Sequence, residues 1–279
     1  MSRNLENKVI VITGGSSGIG AATALECTRA GMHVCLGARN EDKLKQVATQ
    51  IEQLGGKVLT VICDVRKDED VQNLFQQAQS HFQRIDVAFA NAGYGFFAST
   101  LATTDQQHRD IFETNYFGTI RCIKEAAVYL KQVSDGLKHI LICSSAASEI
   151  GLPMFGSYSA TKAAQDCIAG AMRAEVAKQG IWVTSVHPIG TTTEFFNTAG
   201  ELSGIKNLYT NTPPKRRQSA EHVARKILAA IRRPRAEVWP MPLARIGLGM
   251  ATILPGPTAL AMKLYTRKKL MELGKDNPD

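Results

Sequence analysis

The chain has 279 residues, of which 44% are hydrophobic and 21% are charged, and its formal net charge at pH 7 is +8. This composition excludes a largely disordered chain and is typical of a soluble globular protein with one α/β domain. The basic surplus suits phosphorylated, acidic or anionic lipid ligands without identifying one, and scattered surface lysines and arginines would give the same total.

The cysteines show neither a CxxC pair nor a zinc-like spacing, and several lie in apolar runs, where free cysteine behaves as a small buried hydrophobe. They are Cys27, Cys35, Cys63, Cys122, Cys143 and Cys167. This pattern predicts no disulfide framework and no metal site, and it favours a reducing, cytoplasmic compartment. The first apolar run is too short for a signal peptide and leads into a glycine turn, so we interpret it as a strand.

From residue 8 to about 190, short apolar runs alternate with longer stretches of helical period. The predicted strands are residues 9–12, 33–37, 58–63, 85–90, 139–143 and 182–186, and the predicted helices are residues 18–30, 41–54, 68–82, 105–131 and 157–178. A helix at 219–232 and a short strand at 236–239 would complete the sheet. The alternation predicts an α/β fold: a single-domain, doubly wound parallel sheet of the Rossmann type, with about seven strands and helices on both faces.

The alternation of predicted strands and helices stops after residue 190. Residues 191–217 show neither a strand nor a strong helix pattern, and such a long irregular stretch inside a domain predicts a substrate lid. We therefore expect one catalytic domain at 1–240, which includes this lid, and a C-terminal extension at 241–279.

The extension has an unusual composition. Residues 241–264 are mostly apolar but contain Arg245, Pro255 and Pro257, so the prolines divide a run that would otherwise approach the length of a membrane span. Three interpretations stay open: packing on the domain or on a second subunit, peripheral membrane contact through residues 241–270, and, least favoured, a true span.

The segment TGGSSGIG directly follows the first predicted strand and opens the first predicted helix. Its glycines let the backbone turn tightly and approach a phosphate without a Cβ in the way. The helix N-terminus adds free N–H groups and the positive end of the helix dipole. We predict a dinucleotide-phosphate site here, and a helix-entry turn without a ligand is the alternative. The residues concerned are Thr13, Gly14, Ser16, Ser17, Gly18, Ile19 and Gly20.

The end of the second strand distinguishes between the two nicotinamide dinucleotides. An acidic residue there would bind both ribose hydroxyls and indicate NAD, but the sequence at 37–40 is Gly-Ala-Arg-Asn. The planar guanidinium of Arg39 can meet a 2′-phosphate, so we predict NADP(H) as the cofactor. A solvated arginine at a helix start is the alternative.

Two further strand ends would face the same cofactor. Asp64 and Val65 follow the third strand, where a carboxylate can accept from the adenine amino group or cap the next helix. Asn91, Ala92 and Gly93 follow the fourth strand, where small residues would let the cofactor lie against the backbone. A plain turn is the competing interpretation of these three residues.

Tyr158 and Lys162 lie four residues apart, on one face of a predicted helix. A free phenol has a pKa of about 10, and a neighbouring ammonium group stabilises the phenolate and lowers that pKa. Ser145 follows the fifth strand, and ligands of an open α/β sheet bind beyond the carboxyl ends of its strands. We therefore expect Ser145, Asn91 and the glycine turn to converge near Tyr158, where the serine hydroxyl would hold a substrate oxygen.

Together these residues resemble the short-chain dehydrogenase/reductase family in order and spacing over residues 5–195. The matching pieces are Thr13–Gly20, Asp64, Asn91–Gly93, Asn115, Ser145, Tyr158 and Lys162. The resemblance implies a Rossmann fold with Tyr158 as general acid/base, and with Lys162 lowering the tyrosine pKa and binding the nicotinamide ribose. It also implies that Ser145 orients the substrate oxygen and that Asn115 holds a water that links Lys162 to solvent.

The loop after the sixth strand departs from the family pattern. The family has Pro-Gly followed by a threonine, whereas this chain has Pro-Ile-Gly-Thr-Thr-Thr at 188–193. The predicted cofactor contacts of this loop are Pro188, Ile189, Gly190, Thr191 and Thr193. Ser17 stands where NADP-preferring members often carry a basic residue, so the choice of NADP(H) depends on Arg39.

These interpretations predict an NADP(H)-dependent oxidoreductase that interconverts a ketone or aldehyde and an alcohol. Residues from several loops would wall the substrate pocket: Ser145, Tyr94, Phe96, Ile150, Met154 and Phe195. Their apolar and aromatic side chains favour a lipid-like, steroid-like, retinoid-like or aromatic substrate. A 3-oxoacyl thioester reductase and a cofactor-binding regulator without catalysis are the alternatives.

We predict a small-molecule carbonyl or alcohol as the partner, and no nucleic acid. The helix at 157–178 carries several alanines and glycines that permit close approach of a second helix, and family members commonly pair through it. A homodimer or homotetramer is therefore expected, with a monomer as the alternative. The expected location is cytoplasmic, with membrane association left open.

Overall fold

A computed structural model describes residues 3–134, 136–204 and 217–272 of the chain. Its strands are β1 (Val9–Thr13), β2 (His33–Ala38), β3 (Val58–Ile62), β4 (Val87–Ala90), β5 (His139–Cys143), β6 (Trp182–Val186), β7 (Thr191–Thr192), β8 (Gln218–Ser219) and β9 (Glu237–Val238). Its helices are α1 (Gly18–Arg29), α2 (Glu41–Gln53), α3 (Asp68–Phe82), α4 (Asp105–Phe112), α5 (Gly118–Leu130), α6 (Gly156–Glu175), α7 (Phe195–Leu202), α8 (Ala220–Arg232), α9 (Pro242–Ile253) and α10 (Pro255–Glu272).

Seven strands pair in parallel in the order β3-β2-β1-β4-β5-β6-β9, and β7 pairs with β8 apart from this sheet. The chain fills the sheet outward from β1 to one edge and then returns to β4, so the strand order reverses between β1 and β4. In open α/β sheets this reversal opens a crevice at the carboxyl ends of the strands. The predicted Rossmann-type parallel sheet with about seven strands is confirmed.

Apolar side chains on the two faces of the sheet form two separate cores. Because strand residues alternate in direction, Ile10 and Ile12 of β1 enter one core and Val11 enters the other. Helices α1, α2 and α8 cover the first face, and α3, α5 and α6 cover the second. Every residue of β1 is buried, and each such aliphatic side chain contributes about 1.5–3 kcal/mol by leaving water. Burial on both faces explains why the strands are continuous apolar runs.

The predicted single helix over residues 105–131 is interrupted. Helix α4 ends at Phe112, one π-helical segment spans Glu113–Phe117, and α5 begins at Gly118. In this segment the backbone carbonyl of Asn115 faces α6 and accepts a hydrogen bond from the side-chain amide of Gln165 at 2.7 Å. Contacts with α6 therefore stabilise an irregularity that helical periodicity cannot indicate.

The predicted lid contains an eight-residue helix, α7, instead of the irregular backbone expected for 191–217. A helix this short depends on tertiary contacts, and the ring of Phe195 supplies them by lying 5.3 Å from the ring of Tyr158. The part of the predicted lid at 205–216 lies outside the described residues.

The extension consists of two helices, α9 and α10, which meet at Leu254 and Pro255 as the proline positions predict. In the part of the extension that the structure describes, which ends at residue 272, we find no helix with the length and apolar character needed to cross a membrane. All six cysteines fall within the described residues and are free, as expected.

Candidate active site

A cavity of about 810 Å³ lies at the carboxyl ends of the strands and continues from the glycine turn to the C-terminal extension. Its position matches the crevice that the reversal between β1 and β4 creates. The glycine turn and the end of β2 line one half, and aromatic and aliphatic side chains line the other. Tyr158 and Ser145 lie where the two halves meet.

The glycine turn is locked against the end of β4. Gly14 has φ +66°, and a Cβ on it would lie 2.9 Å from the Cα of Ala92. The side-chain amide of Asn91 donates to the carbonyls of Thr13 and Gly14, both at 3.1 Å. A Cβ on Gly20 would lie 2.3 Å from the carbonyl oxygen of Gly14, so the helix can begin this close to the turn only with glycine there.

Nearly all of the predicted cofactor residues line this cavity. Those that do are Gly14, Ser16, Ser17, Gly18, Ile19, Arg39, Asp64, Val65, Asn91, Ala92, Gly93, Tyr158, Lys162, Pro188, Ile189, Gly190, Thr191 and Thr193. Thr13 and Gly20 lie behind the surface. The Thr13 hydroxyl accepts from the backbone N–H groups of Asn91 and Ala92 at 3.1 and 3.3 Å, so it fixes the cavity wall.

Three cations surround the part of the cavity where the second and third strands end. Lys43 pairs with Glu194 at 2.6 Å, and Arg66 pairs with Asp64 at 2.5 Å. Arg39 is exposed at the rim and makes no ion pair within the described part of the chain. Its guanidinium is therefore available to an anion, because it has no salt bridge that the anion would have to replace.

A neighbouring arginine holds the side chain of Asp64. Its carboxylate accepts from Arg66 through Nε and Nη2, and this hydrogen bonding lowers the pKa of the Asp64 carboxyl. The carboxylate thus stays charged and fixed at the cavity wall. The contribution of Arg66 was missed because a basic residue at the start of a helix gives no separate signal in the sequence.

Tyr158, Ser145 and Lys162 are brought together at the base of the cavity. Tyr158 is 8% exposed, and burial raises the pKa of its phenol, while a hydrogen bond with Ser145 lowers it. The Nζ of Lys162 lies 5.5 Å from the centre of the tyrosine ring and donates to the carbonyl of Cys143 at 2.7 Å. Burial lowers the pKa of the Lys162 ammonium. A phenol placed beside a hydroxyl and an ammonium group can give up and take back a proton at one point of the cavity.

The unused hydrogen-bond donors of Lys162 are suited to the ribose of a nicotinamide cofactor. It is 4% exposed, and its ammonium carries three N–H donors, of which one reaches Cys143. Within the described residues no second acceptor is bonded to it. Ribose hydroxyls are acceptors of the right kind for the remaining donors.

Asn115 does not line the cavity. It is fully buried, and its side chain clamps Tyr94 by accepting from the backbone N–H and donating to the backbone carbonyl, both at 2.9 Å. Its own carbonyl accepts from Thr119 and Gln165, both at 2.7 Å. The contacts give Asn115 a positioning role for the loop after β4, and its water-holding role stays a prediction.

The loop after β6 accommodates its departure from the family pattern. Gly190 has φ +51°, so the displaced glycine still provides a left-handed position. Thr193 lies against Gly18, since a Cβ on that glycine would be 3.2 Å from the Cβ of Thr193. Pro188 accepts from the N–H of Ala146 at 3.0 Å, which ties this loop to the turn that carries Ser145.

The substrate half of the cavity differs in part from the prediction. Tyr94, Ile150, Phe195 and Ser145 line it, but Phe96 and Met154 do not. Phe96 is buried in the cluster that supports Phe155 and Tyr158, and Met154 turns the backbone at φ +64°. The other large apolar residues in this half of the lining are Phe97, Leu152, Pro153, Phe155, Phe196, Leu202, Leu248 and Tyr265. Leu248 and Tyr265 belong to the extension, whose approach to the cavity is a tertiary contact without a sequence signal.

Comparison with known proteins agrees with this fold. The family model for short chain dehydrogenases matches residues 8–202. A short chain aldehyde dehydrogenase of Euphorbia lathyris is 36% identical over 202 residues, 71% of this chain and 68% of that protein. A glycine betaine reductase of Emericella nidulans is 33% identical over 230 residues, 82% of this chain. A crystal structure of a short-chain type dehydrogenase/reductase from Mycobacterium marinum has a TM-score of 0.75 at 28% identity, covering 84% of this chain and 94% of that one.

The chain belongs to the short-chain dehydrogenase/reductase family, a class of Rossmann-fold oxidoreductases. It spans 18% of the length of the glycine betaine reductase, so the activity of that whole protein is not carried over. Membership of the family establishes nicotinamide-dependent redox chemistry. The preferred cofactor and the substrate class must be inferred from the residues of this cavity.

Proposed function

We propose that this protein is an NADP(H)-dependent oxidoreductase that interconverts a ketone or aldehyde and an alcohol on an apolar substrate. The observation that carries the proposal is the buried Tyr158 phenol, which bonds the Ser145 hydroxyl and has the Lys162 ammonium 5.5 Å from its ring centre, where the polar and apolar halves of the cavity meet.

The side chains of this protein would carry out the proton transfer of the reaction. The Tyr158 and Ser145 hydroxyls would both bond the substrate oxygen and fix the carbonyl carbon toward the polar half of the cavity. Tyr158 would give its proton to that oxygen during reduction and take it back during oxidation. Burial raises the tyrosine pKa and the hydrogen bond with Ser145 opposes that rise, so Ser145 favours the ionised phenol that takes the proton back during oxidation. When bound, the nicotinamide supplies or accepts the hydride.

Charge at the rim supports NADP(H) over NAD(H). Arg39 directly follows β2, where an acidic residue would favour NAD(H), and the two other cations nearby, Lys43 and Arg66, already have acidic partners. A 2′-phosphate would give Arg39 the partner that it lacks within the described residues. A charge-assisted contact of this kind contributes about 1.5–3 kcal/mol, equivalent to a roughly 10- to 100-fold preference.

The lining supports an apolar substrate. Phe97, Phe155 and Phe195 face the cavity on one side, and Leu248 and Tyr265 of the extension reach it from another. A long alkyl or fused-ring ketone or aldehyde would bury its apolar surface between these groups.

The direct test is a comparison of initial rates with NADPH and NADH over alkyl ketones and aldehydes of increasing chain length. We expect kcat/KM to rise with chain length and to favour NADPH. Arg39→Leu should raise the KM for NADPH by about 10- to 100-fold and leave that for NADH little changed. Arg29→Leu is the matched control, because it removes an exposed arginine that pairs with Glu26 away from the cavity. A wild-type preference for NADH would overturn the cofactor proposal.

Self-association is proposed through the outer face of α6. Ala160, Ala163, Cys167 and Gly170 are exposed and recur at three- or four-residue intervals, which permits close approach of the same helix in a second copy. Size-exclusion chromatography with light scattering should report a dimer or tetramer, and Ala163→Arg should shift it toward the monomer. A monomeric wild type would contradict the proposal.

Peripheral membrane contact is proposed through the extension. Leu243, Ile246 and Ile253 are exposed along one face of α9, and Lys263 and Arg267 add positive charge on α10. Flotation of the full chain should show binding to vesicles with anionic lipid, and Ile246→Glu with Ile253→Glu should abolish it. No binding by the wild type would refute the proposal.

A further inference from the structure

Three side chains from separate elements meet behind the turn that carries Ser145. Glu149 follows that turn, Asp166 lies on α6 one turn after Lys162, and His187 directly follows β6. One ligand atom from each lies within 4.8 Å of the others, and Nδ1 of His187 is 3.6 Å from Oδ2 of Asp166.

Two buried side-chain atoms of the cluster have no hydrogen bond of normal geometry among the described residues. His187 is 2% exposed, and its Nδ1 has no hydrogen-bond partner in the described part of the chain. Oδ1 of Asp166 is likewise buried without a partner there. Leaving a buried polar atom unpaired costs about 1–3 kcal/mol, so two such atoms on neighbouring side chains favour a ligand that accepts their lone pairs.

The imidazole is held in a fixed orientation. Nε2 of His187 lies 3.0 Å from Oγ of Ser185, and the ring stacks on Trp239 with 4.2 Å between centroids and 9° between planes. A hydrogen bond at the far nitrogen and a rigid ring plane are the usual outer support of a metal-binding histidine. The side chains of Glu149 and Asp166 are 23% and 22% exposed, which leaves a path for an ion to enter.

The charges around the cluster favour a cation. Three carboxylates face it: the two of the cluster and that of Glu237, against the guanidinium groups of Arg245 and Arg173. Arg245 pairs more closely with Glu237, at 3.0 Å, than with Glu149, at 3.7 Å. A bound cation could therefore coordinate the Glu149 carboxylate while Arg245 stays paired with Glu237.

We propose that Glu149, Asp166 and His187 bind one divalent transition-metal ion, with Zn²⁺ as the best match to one imidazole nitrogen and two carboxylate oxygens. The ion would join the turn that carries Ser145, the helix that carries Tyr158 and the strand that leads to the Pro188 loop. By holding these three segments together, the ion would stabilise the active site without taking part in the hydride transfer.

The test is metal binding by the full chain, free of any affinity tag and freed of metal with a chelator. Equilibrium dialysis against Zn²⁺ with elemental analysis should give one equivalent per chain, and bound Zn²⁺ should raise the melting temperature. Asp166→Asn and Glu149→Gln should each weaken binding by about tenfold or more, since even outer-shell changes cost metal sites 10- to 100-fold. Glu175→Gln is the matched control, because it removes an exposed carboxylate of the same helix that lies outside the cluster, and it should bind as the wild type does.

A second measurement needs no variant. Co²⁺ added to the wild-type chain should give a visible absorption spectrum with the imidazole and carboxylate ligation proposed here, and Zn²⁺ should displace it. Failure of the wild type to bind either ion, or full binding by both ligand variants, would overturn the proposal and leave a histidine between two carboxylates as an ordinary electrostatic cluster.

Discussion

Alanine at Gly14 tests whether the glycine turn is shaped by its contact with the end of β4. Gly14 and Gly55 both have left-handed backbone, with φ +66° and +75°, but a Cβ on Gly14 would meet Ala92 at 2.9 Å, whereas one on Gly55 would meet nothing within 4 Å. Gly55→Ala should therefore lower the free energy of unfolding by the backbone cost alone, about 1–2 kcal/mol. Gly14→Ala adds the displacement of backbone by overpacking and should cost about 2–5 kcal/mol.

Urea denaturation of both variants would measure these losses, and fluorescence titration with NADPH would measure affinity. Gly14→Ala should bind NADPH at least about tenfold more weakly, because the turn must shift to admit the methyl group. Gly55→Ala should bind it as the wild type does. Equal losses of stability and affinity in the two variants would refute the claim that crowding at Ala92 shapes the cofactor turn.

Three further predictions concern other parts of the chain. Burial holds the pKa of His139 at about 3 instead of 6.5, so the unfolded chain takes up an extra proton between these values. The wild type should thus lose up to about 1.4 kcal/mol of stability per unit as pH falls below 6.5, and His139→Val should show a shallower loss in denaturation at pH 7 and pH 5. An unchanged slope would contradict the buried, neutral histidine. Asn115→Ala should lower stability by about 2–4 kcal/mol and reduce kcat, because it leaves both backbone groups of Tyr94 without partners. Wild-type stability of that variant would contradict the clamp. Phe195→Ala should raise KM for long-chain substrates more than for short ones in steady-state assays, and a uniform effect would contradict its place in the substrate wall.

Continuous apolar strands made the sheet predictable. β1, β4 and β5 are buried at every residue, so their sequences contain no alternation that would suggest any other structure. Parallel pairing then brings the carboxyl ends of all strands to one edge, and for this reason Ser145 and Asn91 could be expected near the glycine turn before any distance was known.

Contacts between distant segments explain what could not be predicted. The π-helical segment at Glu113–Phe117 is stabilised by Gln165, fifty residues further along from Asn115, and helix α7 by the ring of Tyr158. Local periodicity carries no information about either contact. The same holds for Leu248 and for the Glu149, Asp166 and His187 cluster, whose members come from three elements without a metal-binding spacing.

The removal of one hydroxyl, in Tyr158→Phe, tests the central claim most directly. With NADPH and the best ketone or aldehyde of the substrate series, we predict that kcat falls by about 10²- to 10⁴-fold, the usual contribution of a general acid. NADPH affinity, measured by fluorescence titration of the same protein, should change by no more than the roughly tenfold value of one hydrogen bond. A variant that binds NADPH and retains wild-type turnover would contradict the assignment of Tyr158 as the proton donor.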